Sequence, residues 1–509
     1  MPVVPQYTAV SCKGGVASQV HSATIEGLKT LEQGGNAFDA AIKVSSLLTV
    51  LLPHTGSVGG DGFLLALKSN GELTAYNGSG RSAQKLPVDE FLERRPVRGP
   101  LTITVPGLVD LWERMNEDHG SMDLGHLLRK AASLAGNGVN VQEALGRAIE
   151  SSRTALSEYE GWKRVFGGLQ VGSWTRFPRM AKLYGAVARS GADAFYRSEI
   201  TEELVAELNR CGVPLTYEDF AEHRGEKISP IQCKYRDYDL YELPPNTQGV
   251  STLQLLKAMD LAGLHRMSFE NPDRVREFLR LSVGVYEDRD TYVADPRCYE
   301  APIEKLLSTT YLKMRFAKEA CRSSSLESRD TTFFTVADRF GDFVGFIQSI
   351  FHGFGSGIVV NDIPFHNRGA GFAPRPGLPN SPAQRKRPLH TLSILLARHD
   401  NQGDYLVGCA GGDFRPQIHA EVMANAADYG MPLSEAVEAP RCIMTSWGEK
   451  AMEAYIEDGL WSPDLPSWIK KIGYQSYTAG IVHAARKRRD GAFEFVADPR
   501  GGGVAAVSL

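Results

Sequence analysis

Arg322-Ser-Ser-Ser-Leu-Glu-Ser-Arg-Asp330-Thr331-Thr-Phe-Phe-Thr-Val-Ala-Asp338-Arg-Phe-Gly-Asp342-Phe-Val-Gly-Phe-Ile-Gln-Ser349-Ile350 is where the chain changes character. Up to Asp330 it is polar and loop-like; from Thr331 it is rich in β-branched and aromatic residues. Residues 331–337 and 343–350 read as strands joined by an Asp/Gly turn over 338–342, a hairpin signal. Two more hairpins follow: 391–397 with 405–409, and 480–485 with 492–497 around Arg489-Asp490-Gly491. Upstream, residues 19–32 have helical apolar spacing and end at Gly34-Gly35; Asn36 opens a second helix that Pro53 stops. Residues 63–67 predict a strand, 251–261 a helix, and 106–280 helices alternating with short loops. Hairpin strands with helices before and between them predict antiparallel sheets covered by helices, an α+β fold.

At 509 residues the chain can bury one large core or make two to three ordinary domains. An apolar fraction of 42% with 23% charged residues is that of a soluble globular protein. A net charge of −4 supplies no global field for nucleic acid or an anionic membrane, and neither is expected as a partner. The basic runs Arg385-Lys386-Arg387 and Arg486-Lys487-Arg488-Arg489 read as solvated turns. Met1-Pro-Val-Val-Pro-Gln6 lacks the basic and apolar segments of a secretory signal, and the apolar stretch 40–53 contains Lys43, Ser45 and Ser46. Seven scattered cysteines, an odd number, predict reduced thiols and a cytoplasmic setting. With no Cys-x-x-Cys pair or His-Glu-x-x-His helix, no metal is expected.

The polar-to-strand junction has a chemical use. A threonine hydroxyl is a poor nucleophile without a base beside it. If the Asp330-Thr331 bond is cut, Thr331 gains an α-amine of pKa about 8, partly neutral near physiological pH and within reach of its own hydroxyl. One residue then supplies nucleophile and base, a variant of the catalytic triad. Alone, Thr-Thr at a strand start is an ordinary β-former. Gly408-Cys-Ala-Gly411-Gly412-Asp413 follows a strand and opens a helix, so its backbone N–H groups could converge on an oxyanion. One such donor is worth about 3 kcal/mol, although a plain glycine turn is an equal reading. The loop Thr55-Gly-Ser-Val-Gly59-Gly60-Asp61-Gly62 precedes a strand, unlike a dinucleotide fingerprint, and reads as a tight loop close to other backbone.

These pieces stand in the order of a known family. Gly34-Gly-Asn-Ala-Phe-Asp-Ala-Ala41, Pro53-His54 through Gly59-Gly60-Asp61-Gly62-Phe63, Gly80-Arg81 and Pro106-Gly-Leu-Val109 resemble successive blocks of the gamma-glutamyltranspeptidase superfamily. Thr331-Thr332, Arg387-Pro388-Leu389, Gly411-Gly412 and Asp498-Pro499-Arg500 continue the resemblance over nearly the whole chain. It implies a four-layer αββα sandwich of the N-terminal nucleophile hydrolase type. It further implies autocatalytic cleavage between Asp330 and Thr331, giving a large fragment 1–330 and a small catalytic fragment 331–509 that stay associated. By the same resemblance Thr331 is the nucleophile, Gly411 and Gly412 form the oxyanion hole, Ser349 is a hydroxyl neighbour of the nucleophile, and Arg81 binds a substrate carboxylate. No metal or organic cofactor is implied, and the assembly state, a homodimer included, stays open.

The chain departs from the family where transpeptidases hold a free γ-glutamyl amine. The expected Asn, Gln or Glu, and Asp become Phe351, Arg368 and Gly371, and a Ser-Ser pair becomes His390-Thr391. An ammonium near Arg368 would meet like charge, at a cost of several kcal/mol in a partly dry site. The strings 348–352, 367–369 and 388–392 resemble the branch with oxamate amidohydrolase and the cephalosporin acylases. The expectation is hydrolysis of a small anionic amide such as oxamate, with Phe351, Arg368, His390, Thr391 and Arg81 shaping its site; Arg368 in a purely structural ion pair is the competing reading. A gamma-glutamyltransferase or glutathione hydrolase is the alternative, a non-cleaving pseudoenzyme scaffold the alternative of another class, and a metalloamidase the weakest.

Overall fold

The hairpin expected after Asp330 forms: Thr332–Asp338 pairs antiparallel with Phe343–Ser349, with Thr332 opposite Gln348. Residues 8–317, 323–328, 330–448, 452–474 and 477–508 are described in the computed structural model; the N-terminal hexapeptide, Cys321, Arg322 and Arg329 lie outside them. Both hairpin strands are buried along their length, which requires apolar side chains on both faces. Phe333, Ala337, Phe343 and Ile347 point between two sheets, whereas Phe334, Val336, Val344 and Phe346 join the cluster on the other side.

The hairpin lies mid-sheet. Its seven strands run Val504–Val507, Gly14–Ser18, Thr332–Asp338, Phe343–Ser349, Asp61–Leu67, Leu73–Gly78 and Glu226–Ile228, every pair antiparallel. A second antiparallel sheet of seven runs Thr8–Ser11, Phe493–Ala497, Ile481–Lys487, Gly403–Ala410, Leu395–His399, Tyr238–Glu242 and Ile231–Tyr235. Helices His21–Glu32 and Ala37–Leu51 cover the first sheet; Gly249–Leu261 and Arg415–Asp428 cover the second. The layers are therefore αββα, as the family resemblance implied. Both sheets take strands from either side of the Asp330-Thr331 bond, so residues 1–330 and 331–509 share one core.

Local chemistry explains the register. Asp338 Oδ1 accepts the backbone N–H groups of Phe340, Gly341 and Asp342, which closes the hairpin turn. Its other oxygen accepts the Ala37 N–H at 2.8 Å and fixes the start of the helix above. That helix begins with a capping box, in which Asn36 receives the Phe38 and Asp39 N–H groups and Asp39 receives that of Asn36.

Three expectations need correction. The second hairpin is shorter at its start, Leu395–His399 with Gly403–Ala410, because the Thr391 carbonyl is taken by the side chains of Gln248 and Arg415 rather than by a ladder. The segment 106–280 contains not only helices: Glu226–Ile228 borders the first sheet, and Ile231–Tyr235 with Tyr238–Glu242 the second. Arg385-Lys386-Arg387 is no solvated turn, since Arg387 is 1% exposed, pairs with Glu226 at 2.8 Å and donates its backbone N–H to Asp295. Elsewhere the glycine loop before Asp61 does run against other backbone: a Cβ on Gly59 would lie 2.5 Å from the Pro364 carbonyl oxygen. All six cysteines among the described residues are unbridged. No helix there is long and apolar enough to cross a membrane.

Candidate active site

Thr331 stands one residue before its strand, and Ser349 ends the strand beside it, so the antiparallel register brings the two hydroxyls together. Thr331 is 2% exposed, and its Oγ1 donates to Ser349 Oγ at 3.3 Å. Ser349 Oγ donates to the Asp330 carbonyl oxygen at 3.0 Å and accepts the Phe351 N–H at 2.8 Å. Gln19 Nε2 donates to the Thr331 carbonyl at 3.2 Å, and Arg415 Nη2 to Thr331 Oγ1 at 3.3 Å.

Gly411 and Gly412 lie between the strand Gly403–Ala410 and the helix Arg415–Asp428. Gly412 has φ +54°, a left-handed conformation that favours glycine. Its carbonyl accepts from Gln248 Nε2 at 3.0 Å and Arg415 Nη1 at 3.3 Å. The next residue, Asp413, grips the linker: its N–H donates to the Glu327 carbonyl at 3.0 Å, and its carboxylate accepts the Glu327 N–H at 3.2 Å. The segment before Thr331 is thereby held across the glycine turn.

A cavity of about 550 Å³ opens beside the Asp330-Thr331 bond, lined among others by Arg98, Glu327, Asp330, His352 and Ala410. Arg98 Nη1 donates to the Gly353 carbonyl at 2.9 Å and also to that of Gly355. His352 Nε2 lies 3.2 Å from Glu327 Oε2, and Asn367 Nδ2 2.8 Å from His352 Nδ1. Asp330 keeps exposed surface at the cavity mouth, yet the surrounding protein pushes its carboxyl up to about 6, against the opposing pull of Arg98.

Four of the substituted positions converge behind this corner, around Asp61. The Arg368 guanidinium sits 4.1 Å from the Phe351 ring centroid, its Nη1 donates to Thr391 Oγ1 at 3.4 Å, and its Nε is 3.8 Å from Asp61 Oδ2. His390 Nε2 and His366 Nδ1 approach the same oxygen at 3.1 and 3.2 Å. Burial pushes the Asp61 carboxyl up, but His366 and His390 outweigh it and hold the group well below the usual carboxylate range. His390 is pushed down to about 3, by burial first and then by Arg368, which keeps it neutral. Arg368 is fully buried beneath Phe351, whose φ of +80° is strained for a residue with a side chain. Gly371 closes the turn Arg368–Gly371, where a Cβ would meet the Leu389 carbonyl at 2.5 Å.

Arg81 is not brought into this group. It lines a separate cavity of about 20 Å³ with His223, Arg224 and Arg385, under the influence of Arg297, Arg387, Glu226 and Asp295. Reasoning from sequence missed Arg98, Gln248 and Arg415, all of which touch this corner. Arg415 alone left a signal, as a cation three residues after a glycine pair at the start of a helix.

The family model for gamma-glutamyltranspeptidase matches residues 23–508. The chain belongs to this family. Within it, the glutathione hydrolase-like YwrD proenzyme of Bacillus subtilis is 31% identical over 522 residues, covering 98% of this chain and 99% of that protein. The oxamate amidohydrolase proenzyme of Klebsiella pneumoniae is 29% identical over 524 residues, with the same coverage of 98% and 99%. Among solved structures, the cephalosporin acylase of Bacillus halodurans superposes with a TM-score of 0.87 at 27% identity, covering 100% of this chain and 98% of that one. This gamma-glutamyltranspeptidase-family chain is thus an enzyme, a hydrolase of the N-terminal nucleophile type whose relatives are made as proenzymes.

Proposed function

We propose that the chain cuts itself between Asp330 and Thr331, and that the freed Thr331 hydrolyses a small anionic amide through an acyl-enzyme. The observation that carries this reading is the chain of contacts from Thr331 Oγ1 to Ser349 Oγ at 3.3 Å and on to the Asp330 carbonyl oxygen at 3.0 Å. Attack of Oγ1 on the Asp330 carbonyl carbon forms a C–O bond, breaks the C–N bond, and leaves the hydroxyl proton on the departing nitrogen. Ser349 directs an O–H at the oxygen that gains charge. Water then cleaves the ester, giving an Asp330 carboxylate and a free Thr331 amine, which serves as base for its own hydroxyl. A substrate amide takes the place of the Asp330 carbonyl, with Gly411 and Gly412 as its oxyanion donors.

Substrate charge follows from the surrounding cations. Arg98 lies in the cavity wall and Arg81 in another pocket, so Arg98 is the group assigned to a substrate carboxylate. Arg368 is reached only if Phe351 turns aside, and its charge disfavours the free amine of a γ-glutamyl group. For oxamate, attack of Thr331 releases ammonia and leaves an oxalyl ester, which water converts to oxalate. The likeness to a glutathione hydrolase-like proenzyme favours a second reading, hydrolysis of γ-glutamyl amides.

Intact mass of the purified protein beside Thr331→Ala tests the first half: fragments ending at Asp330 and starting at Thr331 in the wild type alone. A wild-type chain that stays whole on long incubation withdraws the nucleophile and leaves a non-cleaving scaffold. For the second half, ammonia release from oxamate is compared with colour release from a chromogenic γ-glutamyl anilide; turnover of the anilide alone replaces the anionic-amide reading with the γ-glutamyl one.

A further inference from the structure

Arg415 is fully buried at the first turn of the helix Arg415–Asp428, where the helix dipole is positive and a cation is least welcome. The carboxylates that act on it most, Glu242 and Asp413, are engaged elsewhere, with His419 at 3.3 Å and Arg289 at 2.8 Å. The guanidinium is spent on neutral acceptors: Nε donates to the Cys409 carbonyl at 2.9 Å, and Nη1 to the Thr391 carbonyl and, at 3.3 Å, to that of Gly412. Its remaining nitrogen, Nη2, points at Thr331 Oγ1 from 3.3 Å. Gln248 braces the arrangement, donating to the same Thr391 and Gly412 carbonyls while Arg289 Nη1 holds its own oxygen at 3.0 Å. A buried cation so expensively placed and aimed at one hydroxyl calls for a reason beyond packing.

We propose that Arg415 is a positioning residue that orients the Thr331 hydroxyl and, in the cleaved protein, lowers the proton affinity of the Thr331 α-amine. This rests on the reading of Thr331 as the nucleophile. The amine nitrogen is the present backbone nitrogen of Thr331, one torsion away from Oγ1, so a guanidinium nitrogen 3.3 Å from Oγ1 stands within roughly 7 Å of it by covalent geometry, and closer unless the contacts are collinear. A like charge at about 4–6 Å disfavours the ionised form, here the ammonium that cannot act as base. Other charged groups face the same corner. Asp330, Glu327 and His352 act from the linker and cavity wall, opposed by Arg98. Asp61, with His366, His390 and Arg368, acts from behind Thr391, and Asp413, Arg289, Glu242 and His419 act from around the helix start. Arg415 is distinguished among the cations by its direct bond to the Thr331 side chain.

The test reads the amine itself and needs no substrate. Self-cleaved protein is acetylated with an N-hydroxysuccinimide acetate over a range of pH, and the modified fraction of the Thr331 N-terminus is read by peptide mass. The wild-type midpoint is expected below the ordinary value of about 8; Arg415→Gln should raise it by about one unit or more, and Arg415→Lys should stay near the wild type. An unchanged midpoint in Arg415→Gln overturns the proposal and leaves the nucleophile intact. A wild-type midpoint at or above about 8 overturns it even if the variant does not fold. A wild-type protein with no Thr331 N-terminus removes the nucleophile reading, and this inference with it.

Discussion

Ser349 Oγ donates to the carbonyl oxygen of Asp330 at 3.0 Å, so the bond preceding Thr331 already has a hydroxyl donor on the oxygen that would become negative in the proposed self-cleavage. One such donor changes rates by about a hundred- to a thousandfold. Ser349→Ala should therefore slow conversion of the full chain to fragments by about that factor, while the purified chain keeps the circular dichroism of the wild type. A time course on denaturing gels measures it, and unchanged cleavage would remove Ser349 from the processing step.

Asp330 carries a pH effect of definite sign. Its carboxyl is raised in the folded uncut chain from 3.8 to about 6, mainly because the protein around it displaces water even though part of its surface stays exposed. Between those values the folded state binds more protons than the unfolded one, so stability falls as pH rises through the window. In the uncut Thr331→Ala protein, Asp330→Asn should raise the denaturation midpoint at pH above about 6 and leave it little changed below about 4. An equal effect at both ends would show that the substitution acts through something other than ionisation.

Asp61 is the carboxylate that faces Arg368, His366 and His390 inside the core. Removing one member of a buried charge cluster costs about 3–5 kcal/mol. Asp61→Asn in the Thr331→Ala background should lose that much in urea unfolding. The depressed pKa of Asp61 implies that this contribution is present at neutral pH and is lost only in strong acid.

Gly408 sits in the second sheet directly over Phe333 of the first, and a Cβ there would lie 2.5 Å from the Phe333 ring. Gly408→Val should force the sheets apart and cost about 1–3 kcal/mol, the usual penalty of overpacking. Thermal unfolding checks it, and pairing it with Phe333→Leu should recover part of the loss.

Much of this was legible in the chain alone. The Thr331 hairpin, the helix capped by Asn36 and the third hairpin depend on contacts a few residues apart, which side-chain alternation and turn residues encode directly. The ordered family blocks placed a threonine at the head of a strand and fixed the layer order. The short strands between residues 226 and 242 were hidden, because strands of three to five residues beside long helices carry too little periodicity to stand out.

The composition of the site was decided only by tertiary structure. Asp61 meets His390 across 329 residues of sequence, Arg415 reaches Thr331 across 84, and Arg81, which the motif order assigned to the substrate, lines a different cavity. Such meetings depend on how two sheets about 10 Å apart are stacked and how side chains cross between them, and no local pattern records that. The sequence by itself determined the hairpin that follows Thr331 and the helices around it; the packing of one sheet on the other decided which charges surround that residue.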